Sequence, residues 1–237
     1  MKTYKKAVTF SYDDGVTQDI RLVEMFNRYG LKATFNLNSE FFGMKGELVR
    51  EDVRVDHIKV NREDVKSIYD GHEVAVHTLT HPTLPGVEQD EEIIRQVEQD
   101  RVNLSELVGY EVLGMAYPGG GKNFDDRCAD LIRANTGVQY ARTTVSTFEF
   151  KPTQGDLLQF HPTCHHLRDE PNLTAVGEAF LNCESDDFQL LYVWGHSYEF
   201  DIRDEWTRFE EFCKMISGHD DILYATNLEA FRYAKVL

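Results

Sequence analysis

The chain has 237 residues, and its 41 acidic side chains against 25 basic ones give a formal net charge of −16. This negative balance argues against nucleic acid or an anionic membrane as a partner. Hydrophobic residues make up 41% of the chain and include 15 Phe and 11 Tyr, which is enough to bury the core of a globular protein.

The sequence shows neither a secretion signal nor a membrane span. Residues 1–6 lead straight into the first apolar run, without the apolar segment and small-residue cleavage site of a signal peptide. No apolar run reaches the roughly 18 residues that cross a bilayer. We therefore expect a cytoplasmic protein with reduced cysteines, none of which forms a Cys-x-x-Cys pair. The four cysteines are Cys128, Cys164, Cys183 and Cys213.

Strand-like and helix-like segments alternate along the chain. The predicted strands cover residues 5–12, 31–37, 72–76, 112–117, 138–142, 157–160, 188–194 and 222–224. The predicted helices cover residues 17–29, 61–70, 87–108, 124–134, 173–183, 204–216 and 227–234. Residues 39–60 interrupt the alternation and indicate an excursion or a short hairpin. The pattern predicts an α/β fold, a distorted (β/α) barrel of seven or eight strands that forms a single domain over residues 1–237.

Two adjacent carboxylates follow the first predicted strand, in the stretch Ser11-Tyr12-Asp13-Asp14-Gly15. Like charges in contact favour a cation between them. Gly15 allows the chain to turn sharply after them. A lone Asp-Asp-Gly is also an ordinary turn sequence, so this stretch becomes informative only together with other residues at the same rim.

A second stretch, His77-Thr78-Leu79-Thr80-His81, follows the third predicted strand. The four-residue spacing allows both imidazoles to reach one ion. Together with Asp14 they form a set of two histidines and one carboxylate with open positions. Hydrolytic Zn²⁺ sites and non-haem Fe(II) oxygenases both use such a set, although the alternating strands and helices disfavour the oxygenase reading.

Acid–base candidates lie at the same predicted rim, because function gathers at the carboxyl ends of barrel strands. Asp13 is placed to act as a general base. His196, after the seventh predicted strand, is placed to protonate a leaving group, and either Glu199 or Asp201 would orient it.

Two further stretches remain open in meaning. The loop from Tyr117 to Lys122 is rich in glycine but lacks the spacing of a phosphate loop, so its N–H groups would instead stabilise an oxyanion. His161, His165 and His166 form a histidine-rich stretch that would be a second metal site, a wall of the substrate groove or a structural feature.

The first two motifs together resemble those of the polysaccharide deacetylases, also called carbohydrate esterase family 4 or the NodB homology domain. The stretch from Ser11 to Gly15 is similar to the family motif Thr-Phe-Asp-Asp-Gly, which implies that Asp13 is the catalytic base and Asp14 a metal ligand. The stretch from His77 to His81 is similar to the motif His-Ser/Thr-x-x-His, which implies that both histidines bind the metal.

The resemblance extends over residues 7–196. Residues 116–119 resemble the third motif, which implies that the Gly119 N–H helps to hold the oxyanion. Residues 191–196 resemble the fifth motif, whose histidine is the general acid. Ala116 stands where many members carry an arginine that pairs with the base, and we expect Arg142 to replace it. The fourth motif has no counterpart that we can place in this sequence.

The resemblance implies a metal-dependent amide hydrolase that removes an acetyl group from an N-acetylated sugar or oligosaccharide. It implies a divalent metal, Zn²⁺ by expectation, and we expect Tyr12, Tyr117 and Trp194 to contact the sugar. Two alternatives on the same fold are the hydrolysis of a cyclic amide or ureide, as in allantoinase-like relatives, and a sugar-binding module without catalysis. The sequence leaves the oligomeric state open.

Overall fold

The computed structural model describes residues 3–50, 52–152 and 155–237. The strands in this part of the chain are β1 (Lys6–Asp13), β2 (Ala33–Leu37), β3 (Glu47–Arg50), β4 (Val53–Asp56), β5 (Glu73–Val76), β6 (Gly114–Ala116), β7 (Tyr140–Arg142), β8 (Cys164–His165), β9 (Gln189–Gly195) and β10 (Ile222–Tyr224). The α-helices are α1 (Asp19–Tyr29), α2 (Val65–Ile68), α3 (Asp90–Val108), α4 (Asp126–Asn135), α5 (Leu173–Asn182), α6 (Glu199–Arg203), α7 (Trp206–Ile216) and α8 (Asn227–Ala234). None of these helices is long and apolar enough to cross a membrane.

Within the described residues the main sheet has eight strands, and every pair in it is parallel. Seven strands follow the order β7-β6-β5-β2-β1-β9-β8, and β10 pairs with the first half of β1. The sheet curls into a half-barrel flanked by helices. The predicted distorted barrel of seven or eight strands is therefore confirmed.

The central strand β1 is buried on both faces, as expected for a parallel sheet that helices cover. Phe10 on this strand packs on Phe26 of α1, with ring centroids 4.7 Å apart, and on Phe209 of α7, at 6.3 Å. Since these contacts fix β1 from the helical side, its carboxyl end at Asp13 is held rigidly.

One predicted strand is wrong. Residues 157–160 begin with a single 3₁₀ turn, Leu157–Gln159, because the Asp156 side chain caps the turn by accepting a hydrogen bond from the Leu158 N–H. Phe160 makes only an isolated parallel bridge with Arg142. The strand of this region is β8, which begins four residues after Phe160 and pairs with β9.

The excursion at residues 39–60 contains the antiparallel hairpin β3–β4. Its return segment lies against the chain just after β1. The Thr17 N–H donates to the Ile58 carbonyl at 2.8 Å, and the Val60 N–H donates to the Gly15 carbonyl at 3.0 Å. The hairpin therefore delivers residues 57–60 to the carboxyl end of the sheet.

The buried His72 at the start of β5 makes the stability of the fold depend on pH. Its Nδ1 accepts a hydrogen bond from the Ala33 N–H at 3.2 Å, so its Nε2 carries the proton and donates to Asn27 Oδ1, also at 3.2 Å. Burial lowers the pKa of His72 from 6.5 to about 4. The fold thus prefers the neutral ring, and this contribution is present above pH 6.5 and is lost as the pH falls toward 4.

We predict that His72 accounts for a loss of about 1–3 kcal/mol in unfolding free energy between pH 7 and pH 4. The variant His72→Asn retains an acceptor for the Ala33 N–H but does not titrate, so its stability should change less over this interval. Urea unfolding at both pH values measures the difference. His219→Asn, at a half-exposed histidine, is the control. An equal change in unfolding free energy between pH 7 and pH 4 in the wild type and in His72→Asn would contradict the prediction.

Candidate active site

The structure brings five of the predicted residues together at the carboxyl ends of three strands. Asp13 and Asp14 stand at the end of β1, His77 and His81 follow β5, and His196 follows β9. Ligand atoms of Asp14, His77 and His81 all lie within 4.8 Å of one another. His196 Nε2 lies 3.9 Å from Asp13 Oδ2 and 4.0 Å from Asp14 Oδ2.

His77 has a fixed tautomer. Its Nδ1 donates to the Ala116 carbonyl at 2.8 Å, so Nε2 is left with a lone pair. That Nε2 is buried and has no hydrogen-bond partner among the described residues. Burial lowers the pKa of His77 to about 4, which keeps the ring neutral. A neutral, oriented imidazole with an unpartnered nitrogen beside a carboxylate fits a divalent metal ion.

Asp14 is surrounded by nitrogen atoms. His81 Nε2 lies 3.6 Å from Oδ1, Lys59 Nζ lies 3.4 Å from the same oxygen, and His57 Nε2 lies 3.5 Å from Oδ2. Burial raises the pKa of this carboxyl, but the hydrogen bond from His57 and the charge of Lys59 together lower it well below its usual value. Asp14 is therefore an ionised carboxylate in a buried place.

The backbone around these groups is strained. Asp14, Thr78 and His81 have φ angles of 82°, 66° and 57°, in the left-handed region that non-glycine residues seldom occupy. Thr78 is the clearest case because it is β-branched. Its hydroxyl accepts a hydrogen bond from the His81 N–H at 3.1 Å, which holds the turn. Strain of this kind is concentrated at functional sites.

Asp13 forms a buried ion pair with Arg142, at the end of β7. Arg142 Nη2 lies 2.6 Å from Asp13 Oδ1 and also contacts Oδ2, and Asn36 Nδ2 donates to Oδ1 at 2.8 Å. The guanidinium is fully buried and lies 4.4 Å from the ring centroid of Trp194. Burial raises the pKa of Asp13, but the charge of Arg142 outweighs it and the net shift is downward. Arg142 thus lies next to Asp13, where the sequence analysis expected it to replace the arginine that pairs with the base in many family members.

Glu199, on the first turn of α6, faces His196. Its Oε2 lies 3.4 Å from His196 Nδ1 and accepts the His196 backbone N–H at 3.2 Å. Burial lowers the pKa of His196, but Glu199 and the two aspartates outweigh it, so the net shift is upward. The other candidate, Asp201, instead accepts from Trp206 Nε1 at 2.7 Å and from Gln18 Nε2 at 3.1 Å.

The histidines of the His-rich stretch support Glu199. His166 Nε2 lies 2.7 Å and His165 Nε2 lies 3.1 Å from Glu199 Oε2. His165 Nδ1 accepts the N–H groups of Leu167 and Arg168, so its proton is on Nε2. A protonated Nε2 has no lone pair for a metal. The structure therefore favours a structural role for this cluster over a second metal site, and Arg168 contacts the other oxygen of Glu199.

A cavity of about 440 Å³ opens above Asp13 and His196. Of the residues expected to contact substrate, Gly119 and Trp194 line this cavity. Gly119 has φ 83°, and a Cβ there would lie 2.9 Å from Thr83 Oγ1, so only glycine fits. The full lining is Asp13, Arg50, His81, Gly119, Gly120, Gly121, Thr144, Ser146, His165, Arg168, Asp169, Trp194, His196 and Tyr198.

The structure does not place Tyr12 and Tyr117 as expected. Both side chains are fully buried. The Tyr12 hydroxyl lies 3.1 Å from His166 Nδ1, and the Tyr117 hydroxyl donates to the Leu158 carbonyl at 2.8 Å. Because each ring packs into the interior and neither lines the cavity, neither is able to stack on a sugar. His161 also lies elsewhere, paired through Nδ1 with the Thr143 hydroxyl at 2.6 Å.

Three residues near the site were not predicted from the sequence. Asn36 stands at the end of β2, and its place at the rim was a usable signal. His57 and Lys59 lie on the hairpin excursion, where no local pattern indicates that they reach β1.

Comparison with known proteins identifies a family and several similar folds. The sequence model of the polysaccharide deacetylase family matches residues 1–141. A polysaccharide deacetylase candidate from Mycobacterium smegmatis has a similar structure over 99% of this chain and 92% of that one, with a TM-score of 0.65 at 15% identity. Peptidoglycan deacetylase PdaC from Bacillus subtilis is similar over 98% and 92%, with a TM-score of 0.57 at 15% identity.

A third similar structure is a family 4 acetyl xylan esterase from Clostridium thermocellum in complex with a cobalt ion. It matches over 95% of this chain and 90% of that one, with a TM-score of 0.51 at 12% identity. At such identities the likeness establishes the fold. The comparison with curated proteins gave no match.

The half-barrel and the family match together indicate a hydrolytic enzyme. The chain belongs to the polysaccharide deacetylase family, since the family model matches more than half of its length.

The buried pair Arg142–Asp13 leads to a prediction on stability. Arg142→Met should lower the unfolding free energy by about 3–5 kcal/mol, because it leaves the Asp13 carboxylate buried without a partner. The double variant Arg142→Met/Asp13→Asn should recover part of this loss, because no unpaired charge remains. Chemical denaturation of the wild type and the single and double variants tests the pair. A single variant as stable as the wild type would be inconsistent with a buried ion pair.

Proposed function

We propose that this protein is a metal-dependent hydrolase of amide bonds, which removes the acetyl group from an N-acetylated sugar or oligosaccharide. The observation that carries the proposal is the approach of Asp13 and His196, 3.9 Å apart, beside the set formed by Asp14, His77 and His81. An acid–base pair next to a ligand set suits the hydrolysis of an unactivated amide.

Asp14, His77 and His81 would hold the divalent ion, for which Zn²⁺ is our first expectation. When bound, such an ion polarises the acyl carbonyl and lowers the pKa of water. The unpartnered Nε2 of His77 supports this assignment on the protein side.

Asp13 serves as the general base in this proposal. Arg142 and Asn36 hold its carboxylate in one orientation and keep it ionised, so it is ready to accept the proton of the attacking water. The ion pair also prevents Asp13 from turning toward the metal ligands. Arg142 is therefore a positioning residue rather than a catalytic one.

His196 serves as the general acid that protonates the departing amine. Glu199 Oε2 lies 3.4 Å from Nδ1, and its negative charge favours the protonated ring, while Nε2 lies 3.9 Å from Asp13 Oδ2 and the residue lines the cavity. The Gly119 N–H contributes to the oxyanion site, and Trp194 forms an apolar wall. A cavity of about 440 Å³ is within the range of sites for small ligands, which supports a substrate of one or a few sugar units.

Metal content and acetate release test the proposal together. The purified wild type should bind one divalent ion and release acetate from N-acetylated sugars, and a chelator should abolish the release. Asp13→Asn should retain the metal but lose about 10²–10⁴-fold in kcat, because proton transfer to the base is removed. Asp169→Asn, at another carboxylate of the same cavity, is the control.

Each other outcome has a definite meaning. Full turnover by metal-loaded Asp13→Asn would refute the role of Asp13. Bound metal together with hydrolysis of cyclic amides, and no acetate release from N-acetylated sugars, would assign the substrate to the cyclic amides. Saturable binding of sugars without product at any metal loading would make the protein a binding module.

Glu199 gives a second kinetic prediction. Glu199→Gln should lower kcat by about 10–100-fold, because a group that orients the acid is lost. It should also move the alkaline limb of the pH profile to lower pH, because removing the negative charge lowers the pKa of His196. Asp201→Asn, two residues away and without contact to His196, is the control. An unchanged alkaline limb in Glu199→Gln would argue against the pairing.

A further inference from the structure

Lys59 places a buried ammonium group against Asp14. The residue is only 6% exposed. Its Nζ lies 3.4 Å from Asp14 Oδ1 and donates to the Asp14 backbone carbonyl at 2.6 Å. Within the described part of the chain, Asp14 is the carboxylate at ion-pair distance from Lys59.

The fold holds this lysine firmly. Lys59 forms an antiparallel bridge with Val16, just beyond Asp14, and its backbone N–H donates to the Met44 carbonyl at 2.8 Å. Its Nζ lies 5.8 Å from the ring centroid of Phe41. Because the backbone is fixed on both sides and the side chain is only 7% exposed, the ammonium is held beside Asp14.

The lysine lies against an Asp14 oxygen that also faces a candidate metal ligand. Asp14 Oδ1, which faces Lys59, is also the oxygen 3.6 Å from His81 Nε2. Like charges a few ångströms apart in a protein interior repel strongly. In the metal-free protein Lys59 already compensates the charge of the buried Asp14 carboxylate. A divalent cation therefore gains less binding free energy from Asp14 than it would from a carboxylate without a cationic partner.

We propose that Lys59 is a built-in counter-cation of Asp14 that competes with the divalent metal, so that the site holds its ion reversibly. This inference rests on the metal site of the proposed function. If Lys59 competes in this way, the metal is an exchangeable cofactor, and the fraction of active enzyme depends on the concentration of free metal ion.

The test is the affinity for Zn²⁺, measured by competition with a chromophoric chelator. Lys59→Met should bind Zn²⁺ at least about tenfold more tightly than the wild type, because the competing charge is gone. Addition of Zn²⁺ should also raise the melting temperature of Lys59→Met more than that of the wild type. Lys59→Arg keeps the charge and should bind like the wild type.

Two further variants keep the test decisive. Lys59→Gln retains a donor for the Asp14 carbonyl and carries the same expectation if Lys59→Met does not fold. Lys32→Met is the matched control, because Lys32 also donates to one backbone carbonyl, that of Gly71 at 2.9 Å, but precedes β2 at the opposite end of the sheet.

The outcomes separate this inference from the proposed function. Tighter binding by Lys59→Met or Lys59→Gln, including binding where the wild type shows none, supports the competition. Equal or weaker binding by these two variants in folded form overturns it, while Zn²⁺ binding by the wild type leaves the metal site intact. Absence of Zn²⁺ binding in the wild type and all folded variants overturns both.

Discussion

Two adjacent carboxylates at the buried end of the central strand are the constraint around which this protein is built. Asp13 and Asp14 are 2% and 7% exposed, and charges so poorly hydrated need compensation. The fold compensates them separately. Arg142 from β7 pairs with Asp13, while Lys59 from the hairpin lies against Asp14. Each partner comes from a distant segment, so the site forms only when the whole sheet and the hairpin are assembled.

The histidines of the site differ in role because their neighbours fix their tautomers. The Ala116 carbonyl accepts a hydrogen bond from His77 Nδ1–H, which leaves the lone pair of Nε2 available to a metal ion. At His165 two backbone N–H groups approach Nδ1, which forces the proton onto Nε2 and toward Glu199. His77 and His165, both buried, are thus divided between a candidate metal centre and a hydrogen-bond support by their backbone contacts.

The groups that support the site come from separate segments of this chain. The arginine beside Asp13 comes from β7 rather than from the segment before Pro118, where Ala116 stands. The acid beside His196 lies three residues later on α6. The fold is similar to that of the M. smegmatis structure at 15% identity.

The sequence by itself determined the alternating architecture, since hydrophobic runs of strand length between amphipathic helices leave few other folds. It also indicated the rim residues Asp13, Asp14, His77, His81 and His196, because each follows a strand. The partners of these residues were harder to obtain. Arg142 was reached only as an expectation from its place at the rim, and Glu199 only as one of two choices.

Tertiary structure alone decided what no local pattern carries. Lys59 lies 45 positions from Asp14, and their contact depends on how the return segment of the hairpin bridges Val16. Tyr12 and Tyr117 look like rim aromatics in sequence, yet both are buried. Tyr12 precedes Asp13 on β1, and alternate residues of a strand face opposite sides of the sheet. Tyr117 follows β6, and its hydroxyl bonds to the Leu158 carbonyl. The direction of a side chain and the residues that it contacts depend on how the whole chain packs. The sequence therefore identified the positions of the site residues, and the fold determined their neighbours.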